Sequence, residues 1–133
     1  MICERGNKLN PKFESLKING RCSLQGEIKI SGAKNSALVL LAASLLTKDK
    51  VYLTNVPDIS DIRKMKNILK SIGVEIDNYD KGKMIIDAEN LFFGNIPHNL
   101  VNELRASFFC IGPLLSKLGQ ASLALPGGCN IGE

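Results

Sequence analysis

The chain has 133 residues, of which 44% are hydrophobic and 23% are charged, as expected for one globular domain with a buried core. It has no apolar run near the ~20 residues that a membrane helix requires, and its polar start, residues 1–15, lacks the apolar stretch of a signal peptide, so we expect a cytoplasmic protein. A net charge of +4 suits anionic ligands but identifies none.

The first predicted elements are two strands. Residues 15–19 and 27–31 alternate between apolar and polar side chains, which is typical of half-buried strands. Their covered positions would be Leu16, Ile18, Ile28 and Ile30.

A helix is predicted from about Lys34 to Leu46. Its residues are apolar on nearly every side, which is typical of a helix buried in the middle of a fold. A short strand is predicted over residues 51–53, before Asn55 and Pro57.

A second helix is predicted from Ser60, with Gly73 as its stop. Cap candidates and favourable charge at its start come from Asp58, Ser60 and Asp61. One face carries the apolar residues Ile62, Met65, Leu69 and Ile72. A strand pair, 74–76 and 84–86, follows around the turn at Asp80.

A longer third helix is predicted over residues 100–118. Pro113 lies inside it and removes one backbone hydrogen bond, so we expect a kink or a break there. A last strand, 121–125, would lead into a glycine-rich loop, 126–132. This order of elements predicts an α/β fold with a mixed sheet rather than an all-parallel one.

The segment Ser31–Ser36 joins a strand to the start of the first helix, where free backbone N–H groups and the helix dipole favour an anion. Lys34 would add a full positive charge, and Asn35 offers both a donor and an acceptor. The alternative is a turn with an exposed lysine, and these six residues alone favour that alternative, because the glycine spacing of nucleotide-binding loops is missing.

Two further side chains could carry chemistry. Arg105, at the edge of an apolar face, could present its guanidinium to a phosphate or carboxylate, or could simply be a surface arginine. Cys129 lies in the glycine-rich loop, where a thiol can act as acid or nucleophile, or be incidental. The other cysteines, Cys3, Cys22 and Cys110, and the single histidine, His98, lack the spacing of a zinc site.

Taken together, the motifs resemble one family, the enolpyruvyl transferases that act on UDP-N-acetylglucosamine. The resemblance rests on residues 26–37, 55–57 with Asp61, 104–107, 112–114 and, most strongly, 125–132. It implies a two-domain inside-out α/β barrel built of repeated βαβ-type units. Residues 16–33 would be strands of the other domain, and residues 34–133 an incomplete first domain.

The resemblance also implies a reaction. The family transfers the enolpyruvyl group of phosphoenolpyruvate to the 3-hydroxyl of UDP-N-acetylglucosamine, the first committed step of bacterial peptidoglycan synthesis, on which cell shape and division depend. It implies no metal, no organic cofactor, no nucleic acid and no membrane.

Roles follow for four residues of this chain. Lys34 would contact phosphoenolpyruvate, Asn35 would lie near the sugar, and Arg105 would bind the UDP-sugar. Cys129 would donate the proton to the methylene carbon of phosphoenolpyruvate, could form a covalent adduct with it, and would be alkylated by fosfomycin.

Several parts of the family's site have no counterpart in this chain. The family's loop continues to a further arginine that binds phosphoenolpyruvate, whereas this chain ends at Glu133. The aspartate that accepts the hydroxyl proton lies far downstream in the family. We therefore expect the 133-residue chain alone to be inactive and poorly stable.

Three alternatives stay open. The sister enzyme acting on shikimate 3-phosphate shares the architecture, but its family uses no such cysteine loop. A small basic RNA-binding module would suit the net charge, although aromatic residues are only 5% of the chain and no stacking motif is visible. An inactive remnant is the third alternative, because fold resemblance alone does not establish activity.

Overall fold

The computed structural model describes residues 20, 23, 25–94, 96–97, 100–101 and 104–123. The chain divides into two compact units, Met1–Ile30 and Ser31–Glu133. In the first unit, residues 27–30 are not paired in a sheet, so the strand predicted over 27–31 is not formed there. Ile28 and Ile30 are 88% and 81% exposed. The predicted strand 15–19 lies outside the described residues.

The second unit begins with helix α1, Lys34–Ala43, which continues as a 3-10 turn, Ser44–Leu46. The predicted helix is therefore confirmed, with a tightened last turn in which Ser44 Oγ donates to Leu41 O at 2.7 Å. The expectation that α1 is buried on all sides is wrong for the described residues. Its inner side is buried, whereas Val39, Leu40 and Leu46 are about half exposed.

Helix α2, Ser60–Lys70, is amphipathic as predicted. Its N-cap residue is Ile59, whose side chain makes no capping hydrogen bond, so the predicted polar cap is wrong. Asp61 lies in the first turn, where its charge complements the helix dipole. The chain leaves α2 through Gly73, whose φ of +91° is in the left-handed region that favours glycine.

The sheet has three strands in the order β1-β3-β2. They are β1, Val51–Leu53, β2, Glu75–Asp80, and β3, Lys83–Asp87. Both pairings are antiparallel, so the mixed sheet that we predicted is not seen among the described residues. Because β2 and β3 form a hairpin, their antiparallel pairing needs only the short turn at Lys81 and Gly82.

The predicted third helix is interrupted. Leu104 has an extended backbone (φ −144°, ψ 104°), a 3-10 segment runs over Arg105–Cys110, and helix α3 covers Ile111–Leu118. The break therefore lies upstream of Pro113, which is the third residue of α3. A proline is tolerated in the first turn, where backbone N–H groups need no partner within the helix. Residues 121–123 form no strand.

The core lies between the inner sides of α1 and α2 and one face of the sheet, with the 3-10 segment and α3 closing it. Its fully buried large side chains are Leu41, Leu45, Met65, Ile68, Leu69, Ile72, Ile86 and Val101. Lys117 of α3 donates to Thr47 O at 2.8 Å, which ties α3 to the end of the first 3-10 turn. None of the helices in the described part of the chain is both long enough and apolar enough to cross a membrane.

Candidate functional site

The start of α1 presents two of the predicted site residues. Ala33, the N-cap, is extended and accepts a hydrogen bond from the Ala37 N–H at 3.0 Å. Lys34 and Asn35 follow as the first two helical residues, and both are exposed. Their N–H groups belong to the first helical turn, which has no internal acceptors, so this end of the helix favours an anion.

The Lys34 side chain makes a specific contact. Its Nζ donates to Asp61 Oδ2 at 2.8 Å, across 27 residues of sequence. Asp61 lies in the first turn of α2, so this ion pair joins the starts of the two helices. The hydrogen bond from Lys34 holds the pKa of the Asp61 carboxyl below its usual range, so the carboxylate is charged at neutral pH.

A close backbone contact lies beside this ion pair. A Cβ placed on Gly32 would overlap the carbonyl of Asn55, so only glycine fits there. Asn55 itself has a φ of +56°, a conformation that asparagine tolerates better than most residues. The Val56 N–H then donates to Gly82 O at 2.9 Å. The segment before α1 is thereby packed directly against the loop before α2 and, through that loop, against the hairpin.

Arg105 lies on another element. It is the exposed first residue of the 3-10 segment, and this segment packs against α1. Cys110 at its other end is buried in the core, and burial raises the pKa of its thiol to about 12. Ser107, between them, is buried, and its Oγ has no hydrogen-bond partner among the described residues.

The structure thus places Lys34 and Asn35 side by side, and Arg105 on a segment that contacts the same helix. Cys129 and His98 lie outside the described residues, so Cys129 stays a sequence prediction. Sequence reasoning missed the pairing of Asp61 with Lys34. The available signal was an acidic residue in the first turn of α2, which we interpreted only as charge favourable to that helix.

A separate groove lies between α2 and the hairpin. Its lining includes Asp58, Arg63 and Lys66, but none of Lys34, Asn35 and Arg105. Arg63 makes two hydrogen bonds to the Asp58 carboxylate, at 2.7 and 2.8 Å. Within the described part of the chain, no three histidine, cysteine or acidic side chains lie close enough to hold a metal ion.

Comparison with known proteins identifies the family. The family model described as EPSP synthase (3-phosphoshikimate 1-carboxyvinyltransferase) matches residues 18–133. The chain belongs to this family. The family membership confirms the resemblance to enolpyruvyl transferases that the motifs indicated.

Similar sequences carry a narrower name. The chain is 61% identical over all its 133 residues to a UDP-N-acetylglucosamine 1-carboxyvinyltransferase of Prochlorococcus marinus (strain MIT 9515), of which it covers 29%. It is 50% identical over 117 residues, 88% of its length, to the protein of that name from Synechocystis sp., covering 26% of it. The chain therefore spans less than a third of the length of these curated relatives.

A solved structure confirms the predicted fold class. The crystal structure of the enolpyruvyl transferase NikO from Streptomyces tendae superposes with a TM-score of 0.63. The match has 26% sequence identity and covers 72% of this chain and 22% of NikO. The described elements therefore form part of an enolpyruvyl transferase fold.

Proposed function

We propose that this chain supplies part of the active site of an enzyme that transfers the enolpyruvyl group of phosphoenolpyruvate to the 3-hydroxyl of UDP-N-acetylglucosamine. The observation that carries the proposal is the 61% identity to an enzyme of that name along all 133 residues. The reaction would take place in the cytoplasm and would be the first committed step of peptidoglycan synthesis. Cell shape and division would depend on that synthesis.

The start of α1 suits the substrate phosphoenolpyruvate. This substrate carries a phosphate and a carboxylate, and the exposed Lys34 ammonium stands at a helix start that also favours negative charge. Asn35, beside it, would bind the sugar through its amide. Arg105, on the segment packed against α1, would bind the UDP-sugar, since a guanidinium binds phosphate with two hydrogen bonds.

Cys129 would supply the acid. Protonation of the methylene carbon of phosphoenolpyruvate leaves positive charge on the neighbouring carbon, where the sugar hydroxyl attacks and loses its proton. Phosphate then leaves as the new methyl group loses a proton, which restores the carbon–carbon double bond. A thiol with an ordinary pKa of about 8.5 is protonated at neutral pH and can give that proton. Its thiolate form is nucleophilic, so the same residue would form the pyruvate adduct and would be alkylated by fosfomycin.

A chimeric enzyme tests the proposal. Residues 1–133 would replace the matching region of the Prochlorococcus marinus enzyme, and phosphate release from phosphoenolpyruvate would be followed. We expect turnover with UDP-N-acetylglucosamine, its loss in Lys34→Ala and Cys129→Ser, and labelling of the unaltered chimera by fosfomycin. The matched control Lys70→Ala removes an exposed cation from the far end of α2 rather than from the site and should keep activity.

Other outcomes of the same assay would replace the proposal. Turnover with shikimate 3-phosphate instead of UDP-N-acetylglucosamine would identify the sister activity. A folded but inactive chimera that binds RNA with a steep salt dependence would favour the nucleic-acid module. For the 133-residue chain alone we expect no turnover, and native-like rates from it would contradict the view that it holds only part of the site.

A further inference from the structure

The Asp61 carboxylate contacts two polar side chains, those of Lys34 and Ser60. Oδ2 accepts the hydrogen bond from Lys34 Nζ at 2.8 Å, while Oδ1 lies 3.4 Å from Ser60 Oγ, a long hydrogen bond. The Asp61 side chain is 29% exposed and that of Lys34 is 50% exposed. Asp61 is therefore the more enclosed partner, and the Lys34 side chain is the more accessible one.

The two helix starts that carry this pair are fixed by the backbone. Gly32 is in direct contact with the Asn55 carbonyl, and the Val56 N–H is bonded to Gly82 O. Helices α1 and α2 also pack on each other along their inner sides. Asp61 therefore lies at a helix start that main-chain contacts and helix packing hold next to the start of α1.

The geometry points to Asp61 as a positioning residue that holds the Lys34 ammonium in the orientation in which it binds phosphoenolpyruvate. This inference rests on the function proposed above. An ammonium group has three N–H donors, and Asp61 occupies one of them. Two donors are left for the phosphate and carboxylate oxygens of the substrate. A lysine already held in one conformation loses less side-chain entropy when the substrate binds.

Simple charge reasoning predicts the opposite effect of removing Asp61. A carboxylate next to an anion site repels the anion, so its neutralisation should tighten the binding of phosphoenolpyruvate. If Asp61 orients Lys34, its removal should instead weaken that binding, because a lysine side chain without this partner samples many rotamers and contacts the substrate in few of them. The affinity for phosphoenolpyruvate should therefore fall if Asp61 orients Lys34, and should rise if Asp61 acts only through its negative charge.

The experiment uses the chimeric enzyme with Asp61→Asn and Asp61→Glu. We expect Asp61→Asn to raise the KM for phosphoenolpyruvate roughly tenfold and to leave the KM for UDP-N-acetylglucosamine within about twofold. Asp61→Glu keeps the charge but moves it by one methylene, so it should recover part of the lost affinity. A double variant with Lys34→Ala should show no further effect of Asp61→Asn on the binding of phosphoenolpyruvate by calorimetry.

The matched control is Asp58→Asn. It breaks another exposed ion pair near the start of α2, that of Asp58 with Arg63, without touching Lys34. Its KM for phosphoenolpyruvate should stay within about twofold of the unaltered chimera. Thermal melts check that each variant folds, and Asp61→Ser replaces Asp61→Asn if the latter unfolds.

The outcomes are distinct. An active chimera in which Asp61→Asn leaves this KM unchanged, or lowers it, overturns the positioning role and leaves the proposed function intact. An equal loss in Asp58→Asn also overturns it, since the effect would then be structural. A folded, unaltered chimera without enolpyruvyl transfer refutes the proposed function, and the role of Asp61 with it.

Discussion

Helices α1 and α2 lie side by side, contribute equally to the core, and differ on their outer sides. On α2 the outer side carries Arg63, Asn67 and Lys70, all exposed and polar. On α1 the corresponding side carries Val39, Leu40 and Ala43, which are exposed although apolar or small. The described residues therefore complete the environment of α2 but leave one side of α1 uncovered.

Burial in this unit therefore depends on which side of a helix is packed, and not on its composition alone. An apolar helix surface in contact with water is unfavourable, whereas a polar one is neutral. The chain matches only 29% of the length of its Prochlorococcus relative, and the uncovered side of α1 is where additional protein would be stabilising.

The largest expected effect is on the free energy of unfolding. It comes from substitutions on the inner sides of α1 and α2, where the two helices should lose similar amounts. Leu41 of α1 and Leu69 of α2 are both fully buried. Leu41→Ala and Leu69→Ala should each lower the free energy of unfolding by about 3 kcal/mol, because each removes buried methyl groups and leaves a cavity. Urea unfolding of the 133-residue chain in a sulfate buffer, which strengthens burial, measures both losses.

The neighbouring leucine is the matched control. Leu40 is 50% exposed, so Leu40→Ala should cost less than about 1 kcal/mol. Equal losses for Leu40→Ala and Leu41→Ala would show that the outer side of α1 is covered after all.

A smaller effect is expected where α2 ends. At Gly73, φ is +91°, and a Cβ would lie 2.5 Å from the Asn90 carbonyl oxygen and 2.7 Å from the Phe92 ring. Gly73→Ala should therefore lower the free energy of unfolding by about 2 kcal/mol. A Cβ added to Gly112, in the first turn of α3, would have no atom of the described part of the chain within 4 Å. Gly112→Ala should therefore be neutral or slightly stabilising in the same urea titration.

The outer sides should differ in association rather than in stability. Leu40→Gln removes an exposed apolar side chain from α1 and should change the free energy of unfolding by less than about 0.5 kcal/mol. It should also reduce self-association in sedimentation velocity runs, because less apolar surface is left in water. Asn67→Gln on α2 is the control and should change neither quantity, and an unchanged sedimentation profile for Leu40→Gln would argue against the uncovered side.

The smallest effect concerns the charges of α2. The hydrogen bond from Arg63 lowers the pKa of the Asp58 carboxyl in the folded chain. A carboxyl with a lowered folded pKa stabilises the fold above its unfolded pKa of about 3.9, and this contribution is lost as the pH falls through the folded pKa. In Asp58→Asn, the urea midpoint should therefore fall slightly less between pH 5 and pH 3 than in the unaltered chain. A steeper fall in the variant would contradict the sign.

The sequence predicted elements whose signals are local. The apolar period of α2, the left-handed glycine that follows it and the β2–β3 hairpin were all recognised from neighbouring residues. The interruption at Leu104 was not recognised, because the apolar residues keep their helical spacing across it and only the backbone conformation changes. Residues 27–30 form no strand although their side chains alternate, because alternation predicts which side chains share a face but not which segment pairs with the backbone.

The sequence predicted the element that carries Lys34 and Asn35, but not the contacts that these residues make. Lys34 and Asn35 stand at the helix start where the motif placed them. The pairing of Lys34 with Asp61 joins residues 27 positions apart, and no periodicity reports such a distance. Arg105 begins a 3-10 segment that contacts α1, and the sequence had predicted a continuous helix there.

Gly32 has an implication for how sequences of this family can vary. It carries no chemistry, yet any side chain at this position would push the Asn55 carbonyl away and separate the two helix starts. A saturation library of the chimera, selected for growth in a strain that depends on the enzyme, should therefore be as depleted at codon 32 as at codon 34. Intolerance to substitution at this position would reflect the close packing of two main-chain segments. From the library data alone, it would be mistaken for a catalytic role.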